Sequence, residues 1–283
     1  MANRMPRPVI RHLPALGITV VSRWIFNCYV VHDGGDGRPF VVDLGLPTQI
    51  ALVAEVLRLH GSNLSDLGGA VATHGHPDHV GGLPGLRHLA ATPIHLPGPL
   101  AHLADGSRSI RSPPGCQVAR ILPVLASQPR DPGTVRDLRT SAKAVGYDAE
   151  QVRLPWAPDS WLSDGDHLPG LPDWRVLTTP GHSDDASCLY HAPTRTLLAG
   201  DAVLTAGGRA WFNPVHVDLQ VADATEARLR ALDVENVLPG HGLAASGPRV
   251  LADARSHRDR ASAPALARSL WTILRDAAAP PLP

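Results

Sequence analysis

Four side chains that bind metal ions well, His74, His76, Asp78 and His79, lie within six residues, directly after the short apolar run Ala70-Val71-Ala72. A strand that stops there releases an extended loop in which side chains two residues apart point the same way. His74 and His76 can then grip one ion together. Asp78 and His79, beyond the bend expected at Pro77, face another direction and suit a neighbouring ion. Imidazoles with a carboxylate and no thiolate fit zinc, manganese or iron, and do not fit a structural cysteine-type site. A single histidine is most often a surface or satisfied core residue, but four such groups at this spacing are poorly explained that way.

The same grammar recurs along the chain. Phe40-Val41-Val42 runs into Asp43, Trp174-Arg175-Val176-Leu177 into His182, Thr196-Leu197-Leu198 into Asp201, and Val237-Leu238 into His241. With the run before His74, five apolar stretches each end in a small or turn-forming residue and a potential ligand. If these are central strands, their ends lie along one edge of a layered core and the ligands converge there. Ile18 to Val21, Cys28 to Val31 and Phe40 to Asp43 read as an N-terminal β meander. The apolar spacing predicts helices over Pro47 to His60, with Gly61 as the residue that ends it, and over Gly85 to Ala91, Thr134 to Val145, Val221 to Leu232, Gly247 to Ala261 and Pro264 to Ala277. Pro93 to Leu96 reads as a further strand. Residues 97–163, rich in Pro, Gly, Arg and Ser, read as an insertion, either a surface excursion or a lid or dimerisation arm over the site. The Pro-rich end, 278–283, is expected to be disordered.

Read together, H-x-H-x-D-H at His74 to His79, Thr179-Pro180-Gly181-His182-Ser183, Ala199-Gly200-Asp201-Ala202 and Leu238-Pro239-Gly240-His241-Gly242 occur in the order found in the metallo-β-lactamase superfamily, which the chain resembles over roughly residues 17–245. The resemblance implies an α/β fold, a four-layer αββα sandwich, as a single domain over 1–283. It also implies a partition of ligands: His74, His76 and His182 for the first metal, Asp78, His79 and His241 for the second, and Asp201 bridging both. Two zinc ions (Zn2+) per subunit are expected, with iron or manganese as alternatives. A bridging carboxylate would hold two dications ~3.5–4 Å apart, close enough for a hydroxide between them to serve as nucleophile. Asp78 and Asp201 are accordingly the candidate catalytic carboxylates. Asp43 either hydrogen-bonds a ligand imidazole from the second shell or is a surface turn residue before Gly45. Asp184 and Asp185 read as a solvated charge pair, with tuning of the first metal or binding of a substrate amine as the alternative. Arg209, Trp211, Phe212 and Asn213 either line the substrate cleft or form a packed loop.

The composition limits the partners. With 26 basic and 26 acidic residues the formal net charge is zero, which gives no bulk attraction for nucleic acid or an anionic membrane. Lys143 is the only lysine, a bias that reads as genomic base composition. Cys28, Cys116 and Cys188 are far apart and form no C-x-x-C, so free thiols in a reducing compartment are expected, with Cys28 and Cys188 as packing residues. The N-terminal segment lacks the long apolar stretch of a secretory signal, and no run approaches the ~20 apolar residues of a membrane span. A cytoplasmic protein acting on a small molecule, possible as a homodimer, is the expectation.

The ligand set is similar to that of hydroxyacylglutathione hydrolases, acyl-homoserine-lactone lactonases and tRNA-processing phosphodiesterases, and it departs from each. Gly75 stands where the first group often has histidine, and the chain after His241 is short for a glutathione-binding helical domain. Leu204 stands where the lactonases carry a tyrosine, and the neutral charge with one lysine does not fit a basic arm for tRNA. What remains is a dinuclear zinc hydrolase of a small ester, thioester or lactone. The alternatives are a zinc phosphodiesterase and, with one iron on His74, His182 and Asp201, an oxidoreductase similar to persulfide dioxygenases. A non-catalytic binding module is disfavoured because no ligand is missing.

Overall fold

In Ile18–Arg23 and Phe26–Val31 consecutive residues enter different apolar layers, the period-2 signature of strands buried on both faces. Val20, Tyr29 and Val31 face one layer while Val21, Cys28 and Val30 face the other. The computed structural model describes residues 8–33, 36–131, 133–148 and 151–278. Its first sheet has seven strands in chain order: β1 (Val9–Leu13), β2 (Ile18–Arg23), β3 (Phe26–Val31), β4 (Phe40–Val42), β5 (Gly69–Val71), β6 (Ile94–Pro97) and β7 (Ser160–Leu162). Pairing is antiparallel from β1 to β4 and parallel from β4 to β7. Between these strands lie α1 (Gln49–Leu59), α2 (Pro77–Val80), α3 (Leu83–Ala90), α4 (Leu100–Ala104), α5 (Leu122–Leu125) and α6 (Gly133–Ala144).

The second half supplies β8 (His167–Leu168), β9 (Leu171–Thr178), β10 (Ser187–His191), β11 (Thr196–Gly200), the ribbon β12 (Val203–Ala206) and β13 (Arg209–Phe212), then β14 (Asn236–Pro239) and β15 (Ala245–Ser246), with helices α7 (Leu219–Arg230) and α8 (Ala263–Ala278). The second sheet runs in the order β15-β14-β11-β10-β9-β8. Tyr29, Phe40, Val42 and Val71 of the first sheet pack against Trp174, Val176, Leu189, Leu198 and Leu238 of the second. The outer face of the first sheet is covered by α1 and α3 through Val53, Val56, Leu57, Leu83 and Leu86. The outer face of the second meets Leu229 of α7 and Leu251. This is the expected αββα layering. Val53, Val56 and Leu57 are fully buried, each worth about 1.5–3 kcal/mol against exposure.

The predicted helix over Gly247 to Ala261 does not form; the segment is a series of turns. Its carbonyls are taken elsewhere. The Arg230 guanidinium donates to the carbonyls of Leu251, Ala252 and Ala254 at 2.6, 2.9 and 2.9 Å, and Arg255 N–H donates to Ala210 on β13 at 3.0 Å. Apolar spacing alone does not reveal such a competitor. Of the tail expected to be disordered, Ala278 closes α8 and residues 279–283 lie outside the described residues.

Within 97–163, Ser160–Leu162 is the strand β7, paired with β6. The rest is pinned to the body by a buried cation. Arg23 on β2 donates to Asp131 at 2.9 and 2.6 Å and to Asp137 on α6 at 2.5 Å. Asp131→Ala leaves this guanidinium short of a partner at a site 7% exposed. A loss of about 3 kcal/mol in unfolding free energy is expected, measured by urea titration.

Candidate metal centre

Each strand that leads into the site ends at the same edge. Asp43 follows β4, His74 follows β5, His182 follows β9, Asp201 follows β11 and His241 follows β14. Pro77 starts α2, and this single turn swings Asp78 and His79 away from His74 and His76. Crossing of the chain is tight here: a β-carbon on Gly45 would stand 1.6 Å from the Asp78 carbonyl oxygen. The residues form two groups. His74, His76, His182 and Asp201 bring one ligand atom each within 4.8 Å of the others, and Asp78, His79 and His241 do likewise. The first sheet contributes His74, His76, Asp78 and His79, and the second contributes His182, Asp201 and His241.

The inward nitrogens and carboxylate oxygens crowd together. His76 Nδ1 lies 2.9 Å from His74 Nε2 and 3.2 Å from His182 Nε2. Asp201 faces both groups. Its Oδ2 is 3.3 Å from His182 Nε2 and 3.2 Å from His241 Nε2, and its Oδ1 is 3.4 Å from His79 Nε2. Asp78 Oδ2 is 3.2 Å from His241 Nε2. His79 Nε2 and Asp201 Oδ1 are buried with no hydrogen-bond partner, a costly arrangement for a polar pair unless a cation completes it. The donor set and these two orphaned atoms fit a metal centre.

Outer contacts fix the rings. Asp43 is 1% exposed, and its Oδ2 accepts from His79 Nδ1 at 3.0 Å while Oδ1 accepts from Thr73 N–H at 2.7 Å. It is buried against the His79 ring, and the surface-turn alternative does not apply. His182 Nδ1 donates to the Val215 carbonyl at 2.9 Å and His241 Nδ1 to the Ile25 carbonyl at 3.3 Å. Three further supports reach the site from far along the chain, and of these only Asn27 had no sequence signal. Asn27 Nδ2 donates to the carbonyls of Pro239 and Gly242 at 2.8 and 2.7 Å, tying the His241 turn to β3. Asn213 Nδ2 donates to the Asp201 carbonyl at 2.9 Å. Asp185, read from the sequence as solvated, is 2% exposed and accepts from Gly75 N–H at 2.6 Å, so it braces the loop between His74 and His76. Asp184 pairs with Arg111 at the surface. Trp211 and Phe212 are buried packing residues.

Charges sort the two groups. Desolvation and the neighbouring His182 hold His76 at about 4, and desolvation with His79 and His76 holds His74 well below the usual imidazole value, so both rings are neutral at pH 7. Burial works against protonation of His79 and His241, yet Asp43, Asp201 and Asp78 outweigh it for His79, and Asp201 with Asp78 brings His241 to about 10. Burial likewise acts to raise Asp78, but His79 and His241 hold it well below the usual carboxylate range. Metal-free protein at pH 7 therefore carries protons on His79 and His241 that an incoming cation must displace. Apparent zinc affinity of the second group should rise with pH below about 10, by about tenfold per unit for each proton displaced. Calorimetric titrations in buffers of different ionisation enthalpy measure this; heats independent of buffer would contradict it.

A pocket opens beside His76, lined by Leu103, Ile110, Arg111, Tyr147 and Val152 of the 97–163 segment. No helix among the described residues is long and apolar enough to cross a membrane.

A family model described as the metallo-beta-lactamase superfamily matches residues 23–241. A probable metallo-hydrolase, YflN of Bacillus subtilis (strain 168), is 23% identical over 265 residues, covering 88% of this chain and 92% of its own. Acyl-coenzyme A thioesterase MBLAC2 of Gallus gallus is 27% identical over 217 residues, covering 73% of this chain and 69% of its own. Among solved structures, a di-iron-bound form of TTHA1623 is similar with a TM-score of 0.50 and 22% identity, covering 80% of this chain and 92% of its own.

Proposed function

The chain belongs to the metallo-β-lactamase superfamily and is a metal-dependent hydrolase, and on that premise we propose that it is a dinuclear zinc enzyme cleaving a small thioester, ester or lactone. One observation carries the reading: Asp201 presents a separate oxygen to each side, Oδ1 to His79 and Oδ2 to His182 and His241. A mononuclear centre has no need of that arrangement. The thioester is favoured within the class because a relative matched over most of both chains is named an acyl-coenzyme A thioesterase.

When bound, two ions at these groups would supply an acidified water and a Lewis acid for the scissile carbonyl. The residues of the chain prepare the ground for that chemistry. Neutral His74 and His76 offer lone pairs without losing a proton, and Asp201 offsets positive charge between the groups. Asp78 is the more solvent-accessible carboxylate, with 17% of its side chain exposed against 5% for Asp201, and its low proton affinity keeps it anionic beside His79 and His241. Leu103, Ile110 and Val152 border His76 with apolar side chains, and the space they leave is only about 10 Å³, so an acyl chain would have to displace this segment. Tyr147 stands edge-on to the His76 ring with centroids 6.0 Å apart. The 97–163 segment is thus read as the wall that sets specificity.

The test combines metal analysis of purified protein with a panel of thioesters, esters, lactones and phosphodiesters. Two zinc ions per chain with thioester turnover is the expected result. One iron per chain with oxygen uptake and no ester cleavage would replace this reading by the oxidative one on His74, His182 and Asp201.

A further inference from the structure

Three histidines outside the centre come together at the opposite end of the first sheet from Asp43. His12 lies on β1, His32 directly follows β3, and His60 caps the C-terminus of α1. One ring nitrogen of each lies within 4.8 Å of one from each of the others. The His32 and His60 rings are stacked with centroids 3.9 Å apart, and His12 and His60 stand 5.3 Å apart. We propose that His12, His32 and His60 form a further metal site for a divalent transition ion such as Zn2+, which clips the edge strand β1 to the end of α1.

The contacts around the rings suit this role. Thr19 Oγ1 sits between His12 Nδ1 at 2.9 Å and His32 Nε2 at 2.6 Å. A hydroxyl oxygen has two lone pairs and can accept from both rings. His60 Nδ1 donates to the Val56 carbonyl at 2.9 Å. Each ring thus has one nitrogen in contact with Thr19 or Val56, the kind of contact that orients metal-binding imidazoles. No ion pair to a carboxylate involves these rings among the described residues, so they repel one another when protonated. Burial and the adjacent His60 and His12 hold His32 at about 4, leaving it neutral at pH 7. The C-terminal end of α1, an 11-residue helix, also favours a positive charge. Three imidazoles without thiolate match zinc, copper or nickel. The site involves none of the residues of the hydrolytic centre and does not depend on how that centre is loaded.

The experiment compares wild type with His60→Ala and His12→Gln, each equilibrated with Zn2+ alone, dialysed and analysed for metal. Wild type should hold one zinc per chain more than either variant, whatever the count at the catalytic centre. In a direct titration the variants should bind this ion more weakly by at least the roughly 10–100-fold that loss of a partner to a metal ligand costs. With Cu2+, electron paramagnetic resonance should show imidazole nitrogen coupling in wild type that both variants lose. Hydrolytic turnover should be unchanged, and circular dichroism checks that each variant is folded; both replaced side chains are exposed. Equal zinc content in folded wild type and either variant overturns the proposal.

Discussion

An Asp201→Ala chain should lose bound metal from both groups and most of its hydrolytic activity. The carboxylate faces His79, His182 and His241 at 3.2–3.4 Å. Its removal leaves His79 and His241 short of a counter-charge in a site where the carboxylate is itself only 5% exposed. A metal centre contributes several kcal/mol of transition-state charge stabilisation, and each 1.36 kcal/mol is tenfold in rate, so a fall of at least about a thousandfold in kcat/KM is expected. Metal analysis and steady-state kinetics on the same preparation measure it. Near-normal zinc with near-normal turnover would contradict a bridging role. Asp201→Asn keeps the shape but removes the charge and one acceptor oxygen, so a loss shared by both variants assigns the effect to the carboxylate and not to packing.

The second large effect needs only one methyl group. A β-carbon on Gly240 would stand 2.5 Å from Asp201 Oδ1, 2.7 Å from His79 Cε1 and 3.0 Å from the Gly200 carbonyl oxygen. Gly240→Ala therefore forces a carboxylate and an imidazole apart within the centre without deleting either. A misplacement of about 1 Å at a catalytic site can cost about a hundredfold in rate. The expected variant folds, loses metal affinity most at the second group, where both His79 and Asp201 are displaced, and turns over about a hundredfold more slowly. Full metal content with kcat near the parent's would show that the neighbouring turn yields freely.

The comparison of these two positions shows what the chain makes readable and what it hides. Asp201 stands at the end of an apolar run in a recognisable motif, and the short spacing of His74, His76, Asp78 and His79 separates two directions because Pro77 turns the backbone. Such signals are local, and the strands that end in them were legible for the same reason. Asp43 was readable only as a choice between two roles, because burial decides between them. Asp185, Asn27 and Asn213 act across long stretches of sequence on backbone groups of the ligand loops, and nothing near them in the chain announces those partners. The turns of Gly247 to Ala261 looked helical because their apolar spacing was read without Arg230, whose guanidinium claims the carbonyls a helix would need. The cluster of His12, His32 and His60 is spread over two strands' ends and a helix cap, so no motif records it.

Both ligand groups draw side chains from both sheets, His74 and His76 opposite His182 and Asp201, and Asp78 and His79 opposite His241. A cation in either place is therefore a cross-brace between the two halves of the molecule as well as a reagent. Since such binding stabilises the folded chain by an amount that grows with the logarithm of free metal above its Kd, catalysis and cohesion of the sandwich are coupled. Chelation should loosen the seam between the sheets at the same time as it silences the enzyme.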